Sequence, residues 1–294
     1  MPPEFVDAHH HLWDLDAVHY PWLMARGERR FFGDPTPIQQ NYLTGDFLAE
    51  SPAHRPIASV HIQVGAGPGE ALKETAWLES QPGFPHAIVA FCDLQAPDSA
   101  EQIAAQAAHS RVRGVRQIVG RHIEEDKLHG SDALLTDPAW IDGLRQLAAA
   151  GLSFDLQMIP PQMPAVLSAL EQVPELQVAL CHAGSPWDQS AEGLASWRAG
   201  LEQLAALPHT MCKLSGLGMF NPQWTQESLK PIVDGVLEAF GPARVMLGSN
   251  FPVDKLYHDY AAIWEAYDAL TASLTATERQ SLFAGCATRF YRLR

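Results

Sequence analysis

Cysteine is scarce in this chain: four in 294 residues, Cys92, Cys181, Cys212 and Cys286, all widely spaced. No C-x-x-C pair occurs, so neither a zinc knuckle nor a thioredoxin-type redox pair is indicated, and free buried thiols in a reducing compartment are the default. Positive charge is scarce too. Lys and Arg number 20 against 34 Asp and Glu, a net charge of −14. Phosphate backbones and anionic bilayers need clustered cations, so no nucleic acid and no membrane is expected as a partner. The surplus of acid implies solubility. No apolar run reaches the ~18 residues a transmembrane helix requires. The start, MPPEFVDAHHHLWD, lacks the basic opening and long apolar stretch of a signal peptide, so a cytoplasmic location is expected. There is no fixed-period repeat, low-complexity tract or linker, and one domain over 1–294 is the simplest organisation.

What is present is a recurring alternation. Short apolar, β-branched runs stand at Glu4–Ala8, Ile57–Val64, Ala87–Asp93, Val112–Ile118, Leu152–Met158, Gln177–His182, Thr210–Ser215 and Arg244–Gly248. Helical spacing follows at Asp98–His109, from Asp137 to Gly151, and at Pro161–Val173, Ala191–Leu207, Glu227–Phe240 and Tyr257–Ala269. Asp137 with Pro138 and Gly151 supplies a start and a stop for one helix. Eight strands alternating with helices predict an α/β fold, a (β/α)8 barrel. The rival open sheet would carry a glycine-rich phosphate turn after its first strand, where DAHHH stands instead. A long first loop, Asp14–Pro56, and a second, Gly120–Thr136, interrupt the alternation. The end, LTATERQSLFAGCATRFYRL, reads as a helix pair capped by Thr275 and Glu278 that closes the barrel.

Extended geometry puts Asp7, His9 and His11 on one side of the first strand and His10 on the other, toward the helices. Two imidazoles at a barrel mouth can chelate a divalent cation, and His182 ends the sixth strand. His61, Gln63, Asp93, Arg116, Gln117, Asp155, Gln157, Lys213, Ser215 and Asn250 end other strands. Polar groups gathered at one concave end describe a catalytic pocket. His61, Arg116, Gln157, His122 and Lys213 are candidate substrate-binding residues, with internal salt bridges the alternative for Arg116 and Lys213. Trp13, Tyr20 and Trp22 either wall the pocket or pack the first loop.

VDAHHHLWD, ALCHAGSP, MCKLSGL and RVMLGSNFPVD resemble, in order, four motifs of the amidohydrolase superfamily, in its amidohydrolase-2 branch. The similarity spans nearly the whole chain. It implies a distorted (β/α)8 TIM barrel and a hydrolase opening a lactone ring, of the sugar-lactone or muconolactone type. It implies His9, His11 and His182 as ligands of a divalent metal, zinc or manganese, although a metal-independent site is also open. The branch also contains metal-dependent decarboxylases of aromatic or muconate-like acids.

One position departs from the pattern. The eighth-strand aspartate of the family is Asn250 here, and an amide cannot serve as a general base. Three readings follow. The metal alone acidifies the water, or Asp254 serves as base, or the protein binds without hydrolysing. His182, Asp254 and Asn250 are the catalytic candidates. A small molecule is the expected partner, and the oligomeric state, a homodimer included, is left open.

Overall fold

Parallel strands wind into one sheet in chain order: β1 (Val6–His10), β2 (Ala58–Ile62), β3 (Ala87–Ala90), β4 (Val112–Ile118), β5 (Ser153–Gln157), β6 (Val178–Leu180), β7 (Thr210–Leu214) and β8 (Val245–Leu247). The computed structural model describes residues 3–50, 54–126 and 132–293. The expected (β/α)8 barrel is what forms. β1 and β8 complete it through the loop that follows β8, where the Asn250 amide donates to the His9 carbonyl and the His11 amide to the Phe251 carbonyl, both at 2.7 Å. The first and last motifs of the sequence are thereby laid side by side.

Helices cover the outside because each buries one stripe against the sheet. The Asp137 carboxylate accepts from the Ala139 amide at 2.9 Å and starts Pro138–Ala149. Thr275 and Glu278 form the predicted capping box. The sequence reading leaves Ala71–Ser80 unassigned, yet it is a helix, and its buried face carries Glu74 and Thr75 beside Leu78. Polar residues on the inner face blur the apolar period that marks a helix. The C-terminal segment is one helix with a π turn at Ser281–Gly285, not a pair. Cys286, Ala287, Phe290 and Tyr291 plug the barrel floor against Val6, Ala8, Val60 and Ala179. Part of the second loop, residues 127–131, lies outside the described residues, and short helices at Ile123–Asp126 and Asp132–Leu135 flank it.

One expectation fails at β1. The register runs from Asp7 opposite Ser59 to His10 opposite His61, three steps against two, which is a bulge. Alternation therefore breaks between Asp7 and His9. Asp7 faces the helix layer, where its carboxylate accepts from Tyr260 Oη at 3.0 Å and from Ser249 Oγ at 2.6 Å. It does not join His9 and His11 at the mouth. His10 faces outward as expected, stacked on Phe47 with centroids 4.1 Å apart and Nε2 2.9 Å from Ser59 Oγ.

Burial first, then the His11 charge, pushes the His10 imidazole from 6.5 down to about 3. The unfolded chain takes up this proton as pH falls through 6.5, and the folded chain does not until about 3. Stability is lost across that window as pH falls, at about 1.4 kcal/mol per pH unit for this one group. His10→Gln removes the term and keeps a donor for Ser59. Urea unfolding at pH 7 and pH 5 should show the difference between variant and wild type moving by about 2 kcal/mol in the variant's favour at the lower pH. An unchanged difference would mean that His10 is charged in the fold.

Candidate active site

At the C-terminal ends of the strands a cavity of about 430 Å³ opens. His11, Arg116, Gln157, His182 and Asn250 line it, each from a different strand end. His9 lies fully buried beneath, its ring 5.2 Å from that of His11 and 4.5 Å from that of His182. The first-strand pair and the sixth-strand histidine, 171 positions apart at least, are thus assembled in one place. Two glycines permit the packing. A Cβ on Gly248 would stand 2.6 Å from His9 Cβ, and one on Gly216 2.4 Å from His182 Nδ1.

Hydrogen bonds fix the rings. His11 Nδ1 lies 2.7 Å from the Ile62 carbonyl, which can only accept, so Nδ1 carries the proton and Nε2 a lone pair. That lone pair faces Asn250 Oδ1 at 3.2 Å. Asn250 cannot turn its amide round freely, because Nδ2 donates to Asp254 Oδ2 at 2.6 Å. Two acceptors therefore face one another at the mouth, an arrangement that a donor or a cation satisfies. His182 Nδ1 is held by the Ser215 carbonyl at 3.2 Å and Oγ at 3.1 Å. His182 and Asn250 both sit at positive φ, 54° and 57°, which turns their side chains inward at sharp chain reversals.

All three imidazoles are held neutral. Burial lowers His11 to about 3, with the Arg116 charge next in size. Burial also takes His9 and His182 well below the usual histidine value, followed by the charge of His182 for the one and of Arg116 for the other. Neutral imidazole is the form that ligates metal. Both ring nitrogens of His9 are buried without a hydrogen-bond partner. The donor set thus suits a divalent cation in kind. As the rings stand, no group of three or more His, Cys, Asp or Glu among the described residues is arranged to hold one ion.

The remaining candidates divide. Arg116 and Gln157 meet in the cavity, where Arg116 Nη1 donates to Gln157 Oε1 at 3.3 Å. Asp254 stands behind Asn250 and lines a separate, smaller cavity. Its carboxylate also accepts from the Gly218 amide at 2.9 Å, and burial raises it from 3.8 to about 7. His61 is fully buried, its Nδ1 accepting from the Leu12 amide at 3.1 Å, and it does not reach the main cavity. Lys213 is fully buried too, bonded to Asp155 at 2.7 Å and to the Ala8 carbonyl at 2.9 Å. Its internal salt-bridge alternative is the arrangement found. His122 stacks on Phe31 with ring centroids 5.5 Å apart, and Phe31, not His122, lines the cavity. Trp13 and Trp22 line it as well, while Tyr20 packs in the loop core.

Sequence reasoning did not single out Arg30, Phe31, Phe32 or Arg121, which also line the cavity. The signal available was the RRFF stretch inside a long aromatic loop, 29–32. Arg30 binds Glu125 with two contacts of 3.1 Å and so ties the first loop to the second across the mouth.

A parallel (β/α)8 barrel whose buried imidazoles converge at its C-terminal face has the layout of a barrel enzyme, whose site lies at that face. The particular family follows from comparison. The family model described as Amidohydrolase matches residues 6–293, and the chain belongs to that family. The protein y4mH of Sinorhizobium fredii, itself uncharacterized, is 38% identical over 98% of both chains. An L-fucono-1,5-lactonase of Burkholderia multivorans is 32% identical over 98% of this chain and 96% of its own. The crystal structure of an amidohydrolase from Burkholderia multivorans with bound zinc superposes with a TM-score of 0.84 at 29% identity, covering 99% of this chain and 100% of that one. These relatives support a hydrolase. Among the described residues no helix is long and apolar enough to cross a membrane.

Proposed function

We propose that this protein hydrolyses a lactone, of the sugar-lactone or muconolactone type, in the cavity above His9, His11 and His182. The observation that carries the reading is the cluster of three buried neutral imidazoles at the foot of a cavity sized for one small ring. The likeness to lactonase-named relatives supports it. His9, His11 and His182 would hold the divalent cation, zinc by analogy with the superposed structure. When bound, such a cation polarises a carbonyl and acidifies water.

The chain's own residues do the rest. Arg116 and Gln157 hold a polar substituent of the substrate and set the ring's orientation. Trp13, Trp22, Phe31 and Phe32 exclude bulk water, which strengthens every polar interaction inside. His182 belongs to two sets. With a cation bound, its lone pair is a third donor; without one, the same Nε2 lone pair takes the proton of the attacking water. Asn250 takes no proton. Asp254 fixes its amide so that Oδ1 faces the reaction space. Asp254 acts through Asn250 and not on the substrate, because the amide stands between them and the carboxylate lies outside the cavity.

Proton release in a weakly buffered indicator assay, over a panel of sugar lactones and muconolactones, tests the reading. Zinc-loaded and chelator-treated enzyme run side by side. Ring opening that His9→Ala abolishes is the expected outcome. Folded, metal-loaded protein that opens no lactone would end the proposal, and carbon dioxide release from an aromatic acid would replace it with a decarboxylase.

A further inference from the structure

The stretch from Gly27 to Gly33 is held differently from the rest of the first loop. Before it the chain is pinned: Trp22 Nε1 donates to the Val64 carbonyl at 2.7 Å, and the Arg26 guanidinium to the Gln39 carbonyl at 2.8 Å. After it Ile38 is buried in the core. In between, Arg30 and Gly33 exchange both backbone hydrogen bonds, at 2.8 and 2.9 Å, in a tight reversal with Phe31 and Phe32 at its tip. Glycines stand at both ends, Gly27 at φ 81° and Gly33 at φ 118°. Nothing lies within 4 Å of where a Gly27 Cβ would be, so that end is free to swing.

The tip crosses the mouth. β4 lies three places round the barrel from β1, and the tip finds its partners in the loop after β4. Among the described residues, every hydrogen bond that leaves 27–33 goes to one group there, the Glu125 carboxylate. It accepts from Arg30 Nε and Nη2, both at 3.1 Å, and from the Phe31 amide at 3.0 Å. The other contacts are ring against ring. Phe31 stacks on His122 from the same loop and, at 6.1 Å, on Phe220 from the loop after β7, and Phe32 meets Trp22 edge-on at 6.2 Å. Both phenylalanines line the cavity. Stacked rings part and re-form without leaving a polar group unpaired, so the carboxylate is what fixes the tip. The ion pair is only partly buried, its side chains 19% and 20% exposed, so water and salt reach it.

We propose that the Arg30–Gly33 turn is a lid over the cavity, hinged at the two glycines, and that Glu125 is the latch that holds it shut. The lid governs what enters whatever reaction follows, so the proposal stands apart from the lactonase reading.

The test reads access and not turnover. Val253 lines the cavity and is 6% exposed, and the four native cysteines are buried. Val253→Cys therefore places one reactive thiol under the lid, and dithiodipyridine, a neutral two-ring disulfide, reports its rate of labelling. Adding Glu125→Ala should raise that rate roughly 10-fold or more, the loss of charge-assisted bonds discounted for their exposure. Raising the salt concentration should speed labelling roughly 2- to 5-fold while the latch is present and leave Glu125→Ala unchanged, because the ion pair is what salt screens. The native thiols, followed in protein without Val253→Cys, should stay unreactive in both backgrounds. Labelling at one rate with and without Glu125, at low and high salt alike, would show an open mouth and overturn the proposal. So would native thiols that gain reactivity in step, since Glu125 would then stabilise the whole fold and not the lid. Should Glu125→Ala fold poorly, Arg30→Gln and the salt dependence of the intact latch decide in its place.

Discussion

His182→Ala is expected to lower kcat/KM for a hydrolysed lactone by roughly 10²- to 10³-fold or more, the scale on which a positioned proton acceptor or charge-stabilising group acts. The ring lines the cavity, is anchored through Nδ1 on Ser215, and turns Nε2 to the side where substrate must lie. Alanine at this position adds no backbone strain that histidine does not already bear at φ 54°. Ser215→Ala removes only the Oγ contact and leaves the carbonyl one, so its loss should be within about tenfold. Asp254→Asn is the informative companion. Its carboxylate is raised to about 7, which alone would suit a general base. The geometry favours a positioning role instead, since the Asp254 carboxylate is bonded to the Asn250 amide and is not among the residues that line the cavity. Asparagine at 254 keeps one oxygen for Asn250 and loses the bond to the Gly218 amide, so a loss of about tenfold is expected. Steady-state kinetics on one lactone settle the order. A loss in Asp254→Asn equal to that in His182→Ala would make Asp254 the base and reverse the assignment.

The barrel itself is legible because strand and helix periods differ and the alternation repeats. β4 spans Val112–Ile118 as expected from its apolar run, and Asp137 and Thr275 cap the helices they announce. His9, His11 and His182 come together for a reason a sequence can supply: in a parallel barrel every strand ends at the same face. Three things needed the structure. A single bulge turned Asp7 outward, and no local composition distinguishes a bulged VDAHH from a regular one. Lys213 and His61 end strands as polar residues of a pocket do, yet Lys213 pairs with Asp155 in the barrel interior and His61 takes the Leu12 amide beside Glu74 of helix Ala71–Ser80. Asp254 is brought back onto Asn250 by a tight turn in which the Asn250 carbonyl accepts from the Val253 amide at 2.9 Å. From spacing alone the carboxylate could equally have faced the cavity.

Lys213 gives the largest stability prediction. It bridges β7 to β5 through the barrel interior, with Asp155 Oδ2 at 2.7 Å and both side chains fully buried. Tyr291, from the C-terminal plug, donates to the same carboxylate at 2.8 Å, and the ammonium lies 4.9 Å from the Tyr291 ring centroid. Lys213→Met leaves Asp155 charged and unpaired in the interior. Destabilisation of about 3–5 kcal/mol is expected, because the lone charge keeps its desolvation penalty and loses its attraction. Lys213→Met with Asp155→Leu removes both charges, and with Tyr291→Phe it also removes the stranded hydroxyl. That triple variant should regain most of the loss, since an apolar replacement of a whole buried pair is near neutral. Urea unfolding of the single and triple variants measures the difference. A single variant within 1 kcal/mol of wild type would mean that the pair is already offset by other contacts. The site feels this pair as well. Lys213 Nζ donates to the Ala8 carbonyl at 2.9 Å, inside the bulge and one residue before His9. The triple variant restores stability without restoring that bond. Its lactone turnover should therefore stay below that of the wild type, so that recovered stability with unrecovered rate would identify Lys213 as the residue that positions His9.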